Sequence, residues 1–189
     1  MIEVKIKNTF VRLSFTFFAT VALFLLTESG FGLAALCACG IHELSHLIMM
    51  IIFGIKADEI LFYAAGIRIS SRKINFAEKM PRALILAAGC AGNFAAAAVM
   101  FVIGNSVAAA INLITAFFNL LPFGALDGAQ LLKLAAIKFF KAENVDRFLR
   151  IVEIITLIAL IFSVIYFGRN SIFLIVCILY FVLIYVTKK

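Results

Sequence analysis

The chain has 189 residues, 65% of them hydrophobic and 14% charged, whereas an average soluble domain is roughly 45–50% apolar and about a quarter charged. That imbalance excludes an ordinary soluble domain and predicts an integral membrane protein with the lipid bilayer as its surroundings. The formal net charge of +7 does not point to nucleic acid, because the basic residues are scattered through connectors between apolar runs instead of sharing one polar, aromatic-rich face.

In chain order, the N-terminal MIEVKIKNTFVRLSF places basic residues ahead of an apolar run, as a signal peptide would. No small-residue cleavage site closes that run, so it reads as a retained first helix. A membrane-spanning helix needs about 20 mostly apolar residues. Six runs qualify, at approximately 10–28, 31–54, 83–103, 106–122, 148–167 and 171–187. The expected fold is all-α and polytopic, with about six transmembrane helices. The connector from Ile55 to Pro81 contains EILFYAAGIRISS, whose alternation and β-branched residues around Gly66 predict a short membrane-associated β-hairpin after the second span. The connector from Phe123 to Arg147 holds ALDGAQLLKLAAIKFFKAEN, which predicts a short helix at or just below the membrane surface. The runs follow one another too closely to leave room for a soluble module, so residues 1–189 are expected to form one domain. Cys37, Cys39, Cys90 and Cys177 all lie in apolar stretches and imply no disulfide framework.

Cytoplasmic connectors carry the excess of lysine and arginine. With the N-terminus inside, every basic residue of the 17 except Arg169 falls on the cytoplasmic side. Six spans with both termini cytoplasmic are therefore expected, in a bacterial or archaeal cell membrane.

The second run reads FGLAALCACGIHELSHLIMMIIFG and buries His42, Glu43 and His46 in an otherwise apolar helix. A charged residue at the centre of a span costs about 2.5–3.5 kcal/mol even on lenient scales, so these three need a reason to be there. At about 100° per residue they fall at roughly 0°, 100° and 40°, within one sector of the helix. His-Glu-x-x-His on a helix lets two imidazoles reach one metal while the glutamate handles protons. The bland alternative, two histidines satisfying each other or a backbone carbonyl, is weakened because the chain has only two histidines and both lie in this motif. Catalytic zinc normally takes three protein ligands. Asp127, in NLLPFGALDGAQLL, is the acidic residue placed to supply the third, since Pro122 breaks the helix there and Gly124 and Gly128 loosen the backbone. An ordinary helix N-cap is an equally good local account of Asp127.

HELSH in a span followed about eighty residues later by NLLPFGALDG resembles the site-2 protease family of intramembrane zinc metalloproteases. The resemblance implies that His42, His46 and Asp127 hold Zn2+ and that Glu43 is the catalytic base. It implies that Asn119 and Pro122 shape the site and help bind substrate. A third feature appears as AAGCAGNF, with Cys90 in place of the usual proline and with Gly89 and Asn93 retained. Gly89 and Gly92 read as helix packing, while Asn93 would orient a ligand or bind substrate backbone. The layout is similar to the sporulation-factor protease branch, without the CBS domain common in that branch.

The implied reaction is hydrolysis of peptide bonds in or next to the transmembrane segment of a membrane-associated protein substrate. A helical substrate must unwind before attack, and an exposed strand edge within Phe62 to Ser70 would clamp it; a passive turn covering the site is the alternative. The rival functions are a catalytically silent relative that only binds, and a membrane metal transporter.

Overall fold

The computed structural model describes residues 1–6, 9–25, 30–63, 66–71, 79–124 and 126–167. At the N-terminus, alternation prevails over the helix expected there. Ile2 and Val4 alternate with Glu3 and Lys5, a period of two that suits a strand. Strand β1 spans Ile2–Ile6 and β2 spans Thr9–Leu13, paired antiparallel from Ile2↔Leu13 to Ile6↔Thr9. Helix α1, Phe15–Leu25, begins only after β2. The expectation of a first span starting at residue 10 is thus corrected: its first residues are strand, with Phe10 and Arg12 in the ladder.

The hairpin expected after the second span is present as β3, Glu59–Tyr63, and β4, Gly66–Ser70, paired antiparallel. It does not stand alone. β2 pairs parallel with β3, from Phe10↔Glu59 to Leu13↔Phe62, giving a four-stranded sheet in the order β1-β2-β3-β4. The fold is therefore mostly helical with a mixed sheet, not all-α. Arg12 straps three strands together, its guanidinium donating to Glu3 Oε2 at 2.9 Å and Glu59 Oε1 at 2.6 Å. Those bonds, Glu3 first, raise the Arg12 pKa above its ordinary value.

Among the described residues, two helices are long and apolar enough to cross a membrane, α2 at Phe31–Ile52 and α3 at Lys79–Val102. They match the second and third expected spans. Helix α4, Ser106–Asn119, has 14 residues, about 21 Å of helix against a hydrocarbon core of about 30 Å. The connector helix expected after it is α5, Asp127–Ala136, and α6 covers Ala142–Phe167. The sixth expected span, 171–187, lies outside the described residues.

Two compact units are distinguished, Met1–Phe118 and Asn119–Lys189. In the first, α2 packs along α3, and both β4 and α1 pack against α2. Gly89 and Gly92 of α3 face α2, small residues that let two helix backbones approach. In the second, α5 packs on α6, with Lys133 Nζ 3.2 Å from Asp146 Oδ1 and Phe140 stacked on Phe148.

Polarity is inverted relative to a soluble protein. Leu44, Ile48 and Ile51 of α2 and Phe101 and Val102 of α3 are exposed, while His42, His46, Asn93 and Asn112 are buried. Apolar exteriors around polar interiors are what a bilayer demands, since unpaired polar groups are costly in hydrocarbon.

Candidate metal centre

Helix α2 carries His42 and His46 one turn apart on its buried face, with Glu43 half-buried beside them. Each imidazole is anchored from behind by α3. His46 Nδ1 lies 2.7 Å from the carbonyl oxygen of Ile85, and His42 Nδ1 lies 2.8 Å from Asn93 Oδ1. A carbonyl only accepts, so His46 donates through Nδ1–H. The Asn93 amide is oriented by its nitrogen, which donates to Ala38 O and to Asn112 Oδ1, both at 2.9 Å. Its oxygen therefore faces His42, which also donates through Nδ1–H.

With both protons on Nδ1, a neutral ring presents a lone pair at Nε2. The two Nε2 atoms converge to 3.1 Å, with the rings edge to face at 86°. Two lone pairs aimed together at that distance repel each other and attract a cation. Tetrahedral zinc with Zn–N of about 2.0–2.1 Å would separate two nitrogens by roughly 3.3 Å. The donor set, its tautomers and its spacing fit zinc, and each imidazole has the outer hydrogen-bond acceptor that metal-bound histidines require.

Gly89 of α3 lies directly over this pair. A Cβ built there would be 2.6 Å from His42 Cε1 and 2.7 Å from His42 Nε2, so the ring positions leave room for glycine alone. The packing role expected of Gly89 is thus a packing role against the imidazoles themselves. Asn93 has 0% exposure; the geometry gives it an orienting task rather than a substrate-facing one.

In the second unit, the cap account of Asp127 fails. Leu126 is the N-cap of α5, with φ −63° and ψ 155° and no side-chain capping bond, and Asp127 is the first helical residue, with 9% exposure. The turn before it is tightly specified. Asn119 ends α4, Pro122 follows, and Gly124 adopts φ +59°. The Gly124 N–H donates to Glu153 Oε1 at 3.0 Å, and Leu126 N–H to Phe123 O at 3.2 Å. A Cβ at Gly128 would overlap the Leu120 carbonyl, so the Leu-Asp-Gly step needs its glycine to seat α5 on the preceding turn. Asn119 and Pro122 are half-buried within this turn.

Three contributors escaped the sequence reading: Ile85 through its carbonyl, Asn112 and Glu153. The last two carried a signal, because each is polar within an apolar run where polarity is costly.

Comparison with known proteins gives a family-model match and a structural one. The model of Peptidase family M50 matches residues 105–164, which include α4, the Asn119–Pro122 turn and Asp127. In fold, the chain is similar to the Site-2 Protease from Methanocaldococcus jannaschii, with a TM-score of 0.68 over 94% of this chain and 90% of that chain at 21% sequence identity. At that identity the likeness establishes the fold. Comparison with curated proteins gives no match.

Proposed function

We propose that this chain is a site-2 protease, a zinc endopeptidase that cuts membrane-associated protein substrates in or next to their transmembrane segments; the Peptidase family M50 match over residues 105–164 and the fold likeness support this reading. The observation that carries the proposal is the pair of Nε2 lone pairs converging at 3.1 Å on the buried face of a helix long enough to span a bilayer. Asp127 is the third ligand in this reading. It is a buried carboxylate in the first turn of α5, and Leu126 rather than Asp127 is the N-cap residue.

Zinc in such a site supplies Lewis acidity, polarising a carbonyl and acidifying water toward a pKa of about 7. Glu43 takes the proton from the attacking water on its carboxylate and delivers it to the leaving amine. His42 and His46 are held in place by Asn93 and the Ile85 carbonyl. Substrate is held extended by pairing with a strand edge, and β3 is already paired on both sides, so only β4 of the expected clamp has an outer edge for it. β4 packs against α2, the helix that carries the histidines. Asn119 and Pro122 shape the wall beside the substrate. Both termini are cytoplasmic in this reading, following the distribution of basic residues.

A transporter would need ionisable groups strung along a path. Among the described residues, the other buried carboxylate, Glu153, is engaged by the Gly124 backbone. Co-expression with candidate single-span membrane proteins tests the proposal: fragments should appear with the wild type and disappear with Glu43→Gln, whose metal content stays normal. Fragments that persist with Glu43→Gln would refute it.

A further inference from the structure

The anchor of His42 is itself held from a third helix. Asn93 Nδ2 donates to Asn112 Oδ1 at 2.9 Å, and Asn112 Nδ2 donates to the Ala108 carbonyl of its own helix α4, also at 2.9 Å. Asn93 is fully buried and Asn112 is 3% exposed. A flip of an asparagine amide exchanges one acceptor for two donors. If Asn112 flipped, its nitrogen would face the Asn93 nitrogen and its oxygen would face the Ala108 oxygen, so two bonds would become two repulsions. With Asn112 fixed, a flip of Asn93 would set oxygen against oxygen at both Ala38 and Asn112, and nitrogen against the His42 Nδ1–H. Orientation therefore passes from α4 through α3 to α2.

We propose that Asn112 is a positioning residue for His42: it locks the Asn93 amide, which locks the His42 proton on Nδ1 and keeps the Nε2 lone pair available. The inference rests on the metalloprotease reading only for the consequence, metal affinity; the tautomer itself can be read without metal. Asn112 is two hydrogen bonds from the imidazole and touches neither metal nor substrate in this account. His46 has a separate anchor, the Ile85 carbonyl. The relay thus governs one ring and spares the other, which a general loosening of the core would not do.

The chain contains only two histidines, so 15N-histidine labelling of the full-length protein in lipid nanodiscs gives a spectrum of His42 and His46 alone. In the metal-free wild type both rings should carry the proton on Nδ1. In Asn112→Leu, His42 should become a mixture of tautomers while His46 keeps its signal. Asn112→Asp, isosteric and in its neutral carboxyl form able to accept from Asn93 and donate to the Ala108 carbonyl, should restore His42. Zinc affinity, read by competition with a chromophoric chelator, should fall about tenfold in Asn112→Leu, at the low end of what losing an outer partner costs a metal site, and recover in Asn112→Asp. The proposal is overturned if His42 is unchanged in Asn112→Leu, or if His42 and His46 change together. A wild type with no zinc affinity would instead overturn the metal reading, leaving the tautomer comparison to decide the relay.

Discussion

A methyl group at Gly89 would be placed 2.6–2.7 Å from the His42 ring, well inside any allowed carbon contact. Gly89→Ala should therefore displace an imidazole and cut metal content sharply while helicity by circular dichroism is retained. Gly40 sits in the same helix as the histidines with nothing within 4 Å of its built Cβ. Gly40→Ala should leave metal content intact and add up to about 1 kcal/mol of helix stability; equal loss of metal in both variants would sink the steric account. At this scale the sequence was legible where chemistry is local. His42, Glu43 and His46 share one turn of helix, so spacing alone put them on one face. Asn112 and Glu153 were not legible in the same way, because a lone polar residue in an apolar run announces a partner without naming it. The partners lie 19 and 29 residues away.

Between elements, the turn from Asn119 to Asp127 is held by a carboxylate on α6. Glu153→Gln keeps an acceptor for the Gly124 N–H, whereas Glu153→Leu leaves that donor without it. An unsatisfied buried donor costs about 1–3 kcal/mol, so thermal unfolding should separate the two variants, with Glu153→Leu clearly lower. Identical melting would show that the bond does not hold the turn. The β3–β4 hairpin was readable from its own alternation around Gly66. The N-terminal strands were not read, because the apolar run from Phe10 onward continues into α1 and masks the alternation before it. The partner of β2, β3, also begins some 50 residues later, and no local window contains the pairing Phe10↔Glu59. The family motif pointed to Asp127, yet its place just inside the helix took the backbone: only the φ and ψ of Leu126 show which residue is the N-cap of α5.

For the whole molecule, the proposed orientation rests on where lysine and arginine fall. Lys133 is exposed on α5 and makes only a solvent-accessible ion pair with Asp146, so Lys133→Cys is a benign reporter. A membrane-impermeant thiol reagent should label it from the cytoplasmic face, in a background lacking the other cysteines; labelling only from outside would invert the topology and the direction from which substrates arrive. The central claim is that His42, His46 and Asp127 together hold one zinc ion. It is tested most directly by the zinc-to-protein ratio of the purified wild type beside His46→Ala and Asp127→Asn. The account predicts about one zinc per chain in the wild type, as a three-ligand site requires, and loss of most of it in both variants. Stoichiometric zinc in Asp127→Asn or His46→Ala would contradict it.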